Sequence, residues 1–335
     1  MTSLNLKGRR VVVTGGAGFI GSHVVDQLAT LDADVVVVDD LSVGTRSNLA
    51  GAQAAGVQLV EGDIRDSELM SRVLTGAGLV IHMACDNLRA SLGKPLRTHA
   101  VNATGTLVTC LAAVRQGVER FIYVSSSEAY GSAKSIPMDE THPLEPTTVY
   151  GASKAAGELY SQACMRTYGL PVVVIRPFNS YGPREHESGT SAEVIPKFVN
   201  RIAAGLPPVI FGDGSQTRDF TWVEETAEGI VLAASCDELV GEAVNIAFGR
   251  GVSIAEICEV LLEVLNASDL QPLFEEARPG DVQHHYADTS KARRVLGFQA
   301  STSILEGLPR YVQWVRTNRE TSGRDRSSAH VVRNW

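Results

Sequence analysis

The chain has 335 residues and a net charge of −8, with no basic patch, which argues against nucleic acid as its main partner. Cys85, Cys110, Cys164, Cys236 and Cys258 are scattered without a Cys-x-x-Cys pair, so they read as reduced thiols of a cytoplasmic protein, and no metal is expected. No run reaches the ~20 apolar residues of a membrane span. Arg9-Arg10 before Val11-Val12-Val13 has the look of a signal-peptide start. The apolar run breaks at once on Thr14 and the glycines, which favours a buried first strand.

In chain order, short apolar runs predict strands at Arg10–Thr14, Asp34–Asp39, Val57–Glu61, Leu79–His82, Phe121–Ser125 and Pro171–Arg176. Helical patterns separate them at 19–30, 66–75, 97–116 and 149–168. Strands alternating with helices imply βαβ units and a parallel sheet covered on both faces. The expected fold is therefore α/β, a Rossmann-type doubly wound sheet. After Pro177 the chain turns rich in Gly, Pro and loops, as at Gly205-Leu206-Pro207-Pro208, and a smaller C-terminal domain is expected there. Ser253 and Glu256 predict a capping box at a helix start, and a further helix is expected from about Thr289 to Gly297. The polar, Arg-rich stretch 317–335 is expected to be largely disordered.

The chemistry begins at the first strand. Gly15-Gly16-Ala17-Gly18-Phe19-Ile20-Gly21 lies between that strand and a helix pattern. In this setting small residues let the backbone approach a pyrophosphate at the helix N-terminus. Asp39 ends the second strand, where a carboxylate accepts from the ribose 2′-hydroxyl and repels a 2′-phosphate; this favours NAD over NADP. Asp63-Ile64, ending the third strand, is a candidate for the adenine edge, although a loop aspartate there has an ordinary structural reading as well. Tyr150 and Lys154 are four residues apart on a predicted helix and share one face. A neighbouring ammonium is expected to favour tyrosinate and lower the phenol pKa from its usual value near 10. Such a base takes a proton from an alcohol or sugar hydroxyl while a nicotinamide takes the hydride.

Further blocks stand in order: Asp39-Asp40-Leu41-Ser42, Gly62–Asp66, Ile81-His82-Met83-Ala84, Asn102–Thr106, Val124–Gly131, Arg176–Arg184 and Gly212–Phe220. With the glycine loop and the Tyr150/Lys154 pair, they resemble the extended short-chain dehydrogenase/reductase family, in particular its nucleotide-sugar epimerases and dehydratases. The resemblance runs from about Lys7 to Trp314. It implies an NAD-binding domain over 1–177 with a return segment near 222–248, and a substrate-binding domain over 178–221 and 249–316. It implies cofactor contacts from Gly15, Gly18, Phe19, Ile20, Gly21, Asp39, Asp63, Ile64, Ala84, Asn102, Tyr150, Lys154 and Pro177. Tyr150 would be the base, Lys154 its electrostatic partner, and Ser126 a hydrogen-bond partner of the reacting hydroxyl. Asn179, Arg218 and Arg278 would hold the diphosphate of a nucleotide sugar, arginine being suited by its planar fork. Arg89 and Arg184 are candidates for substrate contact, with a surface salt bridge as the alternative. The family also implies a homodimer joined through a four-helix bundle of the 97–116 and 149–168 helices.

Two reactions remain open. Ser125-Ser126-Ser127-Glu128-Ala129-Tyr130-Gly131 is similar to the motif of 4,6-dehydratases and UDP-glucuronate decarboxylases, with Glu128 placed to remove a C5 proton. Those dehydratases often carry an Asp where this chain has Ser127, and the stretch Ala84–Ser91 is more like an epimerase, which needs no C5 base. The reading favoured is a 4-epimerase that oxidises C4 to a transient ketone and returns the hydride.

Overall fold

The predicted apolar runs form β1 (Arg10–Thr14), β2 (Asp34–Asp39), β3 (Gln58–Glu61), β4 (Leu79–His82), β5 (Arg120–Val124) and β6 (Val172–Pro177). The computed structural model describes residues 4–186, 192–277 and 282–322, with side chains as far as Asn318. After β6 come β7 (Asn179–Tyr181), β8 (Val209–Phe211) and β9 (Thr217–Trp222), and β10 (Ala243–Ile246) then returns to the first sheet. That sheet has seven parallel strands in the order β10-β6-β5-β4-β1-β2-β3. The order reverses between β1 and β4. A doubly wound sheet opens a crevice at such a switch point, beyond the carboxyl ends of the strands.

The strands are apolar throughout because both faces are covered. Val11 and Val13 of β1, with Val35 and Val37 of β2, pack against Val24, Leu28, Ala227 and Ile230. Val12, Val36 and Val38 point to the opposite face and meet Met70, Cys110 and Ala113. Side-chain caps fix the helix starts. The Asp66 carboxylate accepts from Glu68 N and Leu69 N, both at 3.0 Å, ahead of the helix Ser67–Val73. Thr148 Oγ1 accepts from Gly151 N at 3.0 Å and opens the helix Val149–Tyr168, which Gly169 ends with φ 74°.

That long helix is tied to the sheet at two points. The Tyr123 hydroxyl on β5 donates to Lys154 O at 3.0 Å, and the helix lies so close that a Cβ on Gly157 would come within 2.1 Å of the same hydroxyl. Glu158 takes a two-pronged bond from Arg176 of β6, Nε to Oε1 at 3.0 Å and Nη2 to Oε2 at 2.7 Å, with both side chains buried.

One predicted helix is broken. The stretch expected at 97–116 is a short helix Pro95–His99, a π-type segment Ala100–Gly105 and a helix Thr106–Gln116. Local bonding explains the wider turn. The Asn102 side chain accepts from Asp86 N at 2.7 Å and donates to Asp86 O and Ser153 Oγ, while Thr106 Oγ1 donates to Asn102 O at 2.6 Å. Turn-by-turn apolar spacing carries no signal for such a bulge.

The rest of the chain builds two smaller sheets. Strand β9 is flanked by β11 (Gly251–Ser253), β13 (His284–His285) and β7, while β12 (Leu273–Glu275) pairs with β8. Tyr181, Phe198, Trp222, Ile257, Leu308 and Tyr311 form their core. The Ser253 hydroxyl accepts from Glu256 N at 3.0 Å, one half of the expected capping box, while the Glu256 carboxylate accepts from Arg250 at 3.3 Å. The last helix runs Ile304–Ser322, so helix continues past the start of the tail expected at 317; residues 323–335 lie outside the described residues.

Candidate active site

A cavity of about 680 Å³ opens at the switch point. Gly15, Gly18, Phe19, Ile20 and Gly21 line it, with Asp39, Asp63, Ile64, Ala84 and Pro177. Ser126, Ser127, Glu128, Tyr150, Lys154, Asn179, Arg89 and Arg218 line it too. Segments far apart in sequence thus meet in one hollow.

At the glycine loop the backbone itself forms the wall. Gly15 has φ 72°, and a Cβ there would come within 2.7 Å of the Ala84 backbone. A Cβ on Gly21 would lie 2.2 Å from Gly15 O. No side chain caps the helix Phe19–Thr30, so its first N–H groups face the cavity and suit a diphosphate. The buried Asp39 accepts from Ala17 N at 3.0 Å through one oxygen and from Leu41 N at 2.9 Å through the other. Each oxygen keeps a lone pair for a ribose hydroxyl. Burial pushes its carboxyl above the usual range, and the two N–H bonds pull it back. These features fit an adenine dinucleotide. Asp63 is already engaged by Arg65, whose hydrogen bond lowers its pKa, so Ile64 is the freer wall at the adenine end.

The centre holds Tyr150 and Lys154. Lys154 is buried, donates from Nζ to Val124 O at 2.7 Å, and sits 4.8 Å from the Tyr123 ring centroid. Burial lowers its pKa. The Tyr150 phenol is held well above its ordinary pKa, first by burial and then by Cys85, Glu128 and Glu193; its hydrogen bond with Ser126 acts the other way. The expected lowering by the neighbouring ammonium is thus outweighed. Desolvation and nearby negative groups dominate the protein's own field. When bound, NAD supplies the hydride acceptor and brings a positive nicotinamide into this field.

Two predicted contacts are placed differently. Arg184, with φ 67°, turns away to Asp26 on the helix Phe19–Thr30 at 2.7 Å and does not line the cavity. The salt-bridge alternative is what this arginine adopts. Asn102 is buried behind the wall, where it holds the Asp86 backbone and does not line the cavity itself. Arg278 lies outside the described residues. Arg218 lines the cavity and donates to Val282 O at 2.7 Å.

Sequence reasoning missed several lining groups: Glu185, His186, Glu193 and the buried Ser125 hydroxyl. Glu185 directly follows the Arg176–Arg184 block, and its position there was the one available signal. Glu193 sits in a stretch with no motif, and only the fold brings it to Arg89.

The model of the NAD-dependent epimerase/dehydratase family matches residues 11–247, well over half of the chain. The chain belongs to that family. It is an NAD-dependent enzyme of the epimerase/dehydratase type. A putative UDP-glucose 4-epimerase of Methanocaldococcus jannaschii is 33% identical, over 93% of this chain and 100% of that protein. Among solved structures, the UDP-glucose 4-epimerase of Thermotoga maritima with UDP-glucose superposes with a TM-score of 0.87 at 35% identity, covering 92% of this chain and 99% of the other. The dTDP-glucose 4,6-dehydratase of Streptomyces venezuelae with NAD bound gives 0.88 at 36%, covering 93% and 98%. Family members of both reaction types are therefore equally similar to this chain. No helix among the described residues is long and apolar enough to cross a membrane, and no group of His, Cys, Asp and Glu among them could hold a metal ion.

Proposed function

We propose that this family member is a nucleotide-sugar 4-epimerase. Tyr150 takes the proton of the sugar C4 hydroxyl, Ser126 holds that hydroxyl, and Lys154 steadies the phenolate. The 4-keto sugar turns in the cavity and takes the hydride back on its other face. Asn179 and Arg218 hold the diphosphate. Residues 1–177 with 222–248 serve NAD, and 178–221 with 249–316 serve the nucleotide sugar; the return of β10 to the large sheet supports that division.

The observation that carries this reading is Ser127. Loss of the C6 hydroxyl needs an acid beside it, and this position offers a buried alcohol, a far weaker acid than a carboxyl. A 4,6-dehydratase is the second reading, because Glu128 lines the cavity beside Tyr150 and a carboxylate there suits C5 proton removal. Incubation with UDP-, dTDP-, GDP- and CDP-sugars in deuterated water decides. An isomer of equal mass with no solvent deuterium is expected. Deuterium at C5 with loss of water would establish the dehydratase, and loss of carbon dioxide a decarboxylase.

A homodimer through the Thr106–Gln116 and Val149–Tyr168 helices is part of this proposal. Leu159, 61% exposed, and Tyr160, 38% exposed, offer apolar surface on the longer helix. Among the other apolar residues of the 97–116 and 149–168 stretches, Val101 and Cys164 are buried in the protein's own core, and Leu107, Leu111 and Val114 pack against it. Sedimentation at micromolar concentration should show a dimer. The five cysteines are all free, which supports a reducing, cytoplasmic setting.

A further inference from the structure

On the Tyr150 side of the cavity stands a group of charged side chains that the proposed reaction does not use. Arg89 donates from Nη2 to Glu193 Oε2 at 2.9 Å; the arginine side chain is 8% exposed and the glutamate 46%. Arg89 Nε is buried without a hydrogen-bond partner, although the residue lines the cavity. A buried donor left unmatched is costly, and an acceptor on a ligand would satisfy it. Glu185 is 7% exposed and accepts one long bond, from Gly182 N at 3.4 Å. Burial, and then the charge of Glu193, hold its carboxyl well above the ordinary range. His186 is kept neutral by burial in the same way.

The charges on this wall add up simply. Glu193 answers the cation of Arg89, so that pair leaves no free positive charge on the wall. Glu193 also acts on the Tyr150 phenol, so it stands near the reacting centre. A neutral sugar meets a donor here, at Arg89 Nε. A sugar bearing a carboxylate brings a further anion to a wall whose one cation is already paired with Glu193 and to a cavity that Glu128 also lines. Like charges brought together in a desolvated site are strongly disfavoured.

We propose that Arg89, Glu185 and Glu193 form a specificity wall that accepts a neutral hexosyl group and excludes a hexuronate. This rests on the nucleotide-sugar reading and adds the class of sugar. The test is calorimetric binding to NAD-loaded protein of the glucose and glucuronate forms of UDP and of dTDP. At least one glucose form should bind about tenfold or more tighter than its glucuronate partner, a difference of roughly 1.4 kcal/mol. Glu193→Gln should release Arg89 and narrow that ratio by about tenfold. Arg89→Gln should widen it, because Glu193 then stands unanswered. A merely structural role would weaken both sugars together and leave the ratio unmoved. Glucuronate binding as tightly as glucose in the unmodified protein would overturn the wall and leave the nucleotide-sugar reading intact. An unchanged ratio in both variants, with NAD affinity and melting temperature retained, would do the same. Failure of these four ligands and of the GDP- and CDP-sugars to bind would overturn the nucleotide-sugar reading and the wall with it.

Discussion

The glycine-loop end of the cavity and the Arg89–Glu193 end are built on different plans. The first comes from one short run, Gly15–Gly21, and the ends of neighbouring strands, and its walls are largely backbone. The second is assembled from side chains at 89, 185 and 193, two of them joined by an ion pair. A shared cofactor calls for fixed backbone, which tolerates almost no added atom. A sugar calls for side chains whose charge and hydrogen-bonding groups match its substituents. The two ends should therefore fail in different ways when altered.

The largest effect is expected between the two ends, at the base. Tyr150→Phe should lower turnover by about 10²–10⁴-fold, the usual range for removing a general base, with NAD affinity nearly unchanged. A loss of only a few-fold would show that another group takes the proton. At the backbone end, Gly21→Ala puts a Cβ 2.2 Å from Gly15 O. Overpacking against backbone costs about 1–3 kcal/mol, so NAD affinity should fall roughly ten- to a hundredfold while nucleotide binding by the other end persists. Fluorescence titration with NADH reads the first and calorimetry with UDP or dTDP the second; equal loss of both would erase the distinction between the ends.

Smaller effects sharpen it further. Asp39→Asn should shrink the preference for NAD over NADP by about tenfold, since it removes the charge that repels a 2′-phosphate. The ratio of the two dissociation constants checks this, and tighter NADP binding by the unmodified protein would reverse the assignment. The smallest effect concerns pH. His82 is buried with both ring nitrogens hydrogen-bonded to Thr14 and Thr106, and burial lowers its pKa to about 3; burial takes His285 to about 4. The unfolded chain binds these protons near pH 6.5, so the folded state is favoured fully above that pH. It loses this share of stability as pH falls from 6.5 toward 4 and then 3. Melting temperatures in that window should fall less for a His82→Gln variant than for the unmodified protein.

Much of the fold was legible because its signals are local. The runs Asp34–Asp39 and Leu79–His82 are strands with those ends, and 19–30 and 149–168 are helices with those ends. Each is apolar on the faces that packing covers, and the helices are marked by Gly18 in one case and by Thr148 and Gly169 in the other. The bulge at Ala100–Gly105 was not legible, because it depends on Asn102 reaching Asp86 and Ser153. Neither was the Arg89–Glu193 pair, which spans 104 positions. Arg184 shows the opposite error. It continues a recognisable block, yet its left-handed backbone aims it at Asp26. A motif specifies where the backbone goes more firmly than where a long side chain ends.

The contact between Gly157 and Tyr123 sets the tolerance of the whole device. The helix that carries Tyr150 and Lys154 rests on the ring of Tyr123 with no room for a single methyl group. Sheet and helix thus act as a reference surface and a tool holder, with the missing side chain of Gly157 as the clearance between them. Reaction rates depend steeply on such spacing, about a hundredfold for a misplacement near 1 Å. The alignment of the base is in this sense a manufacturing dimension, gauged one helical turn beyond Lys154 by two residues that never meet the sugar.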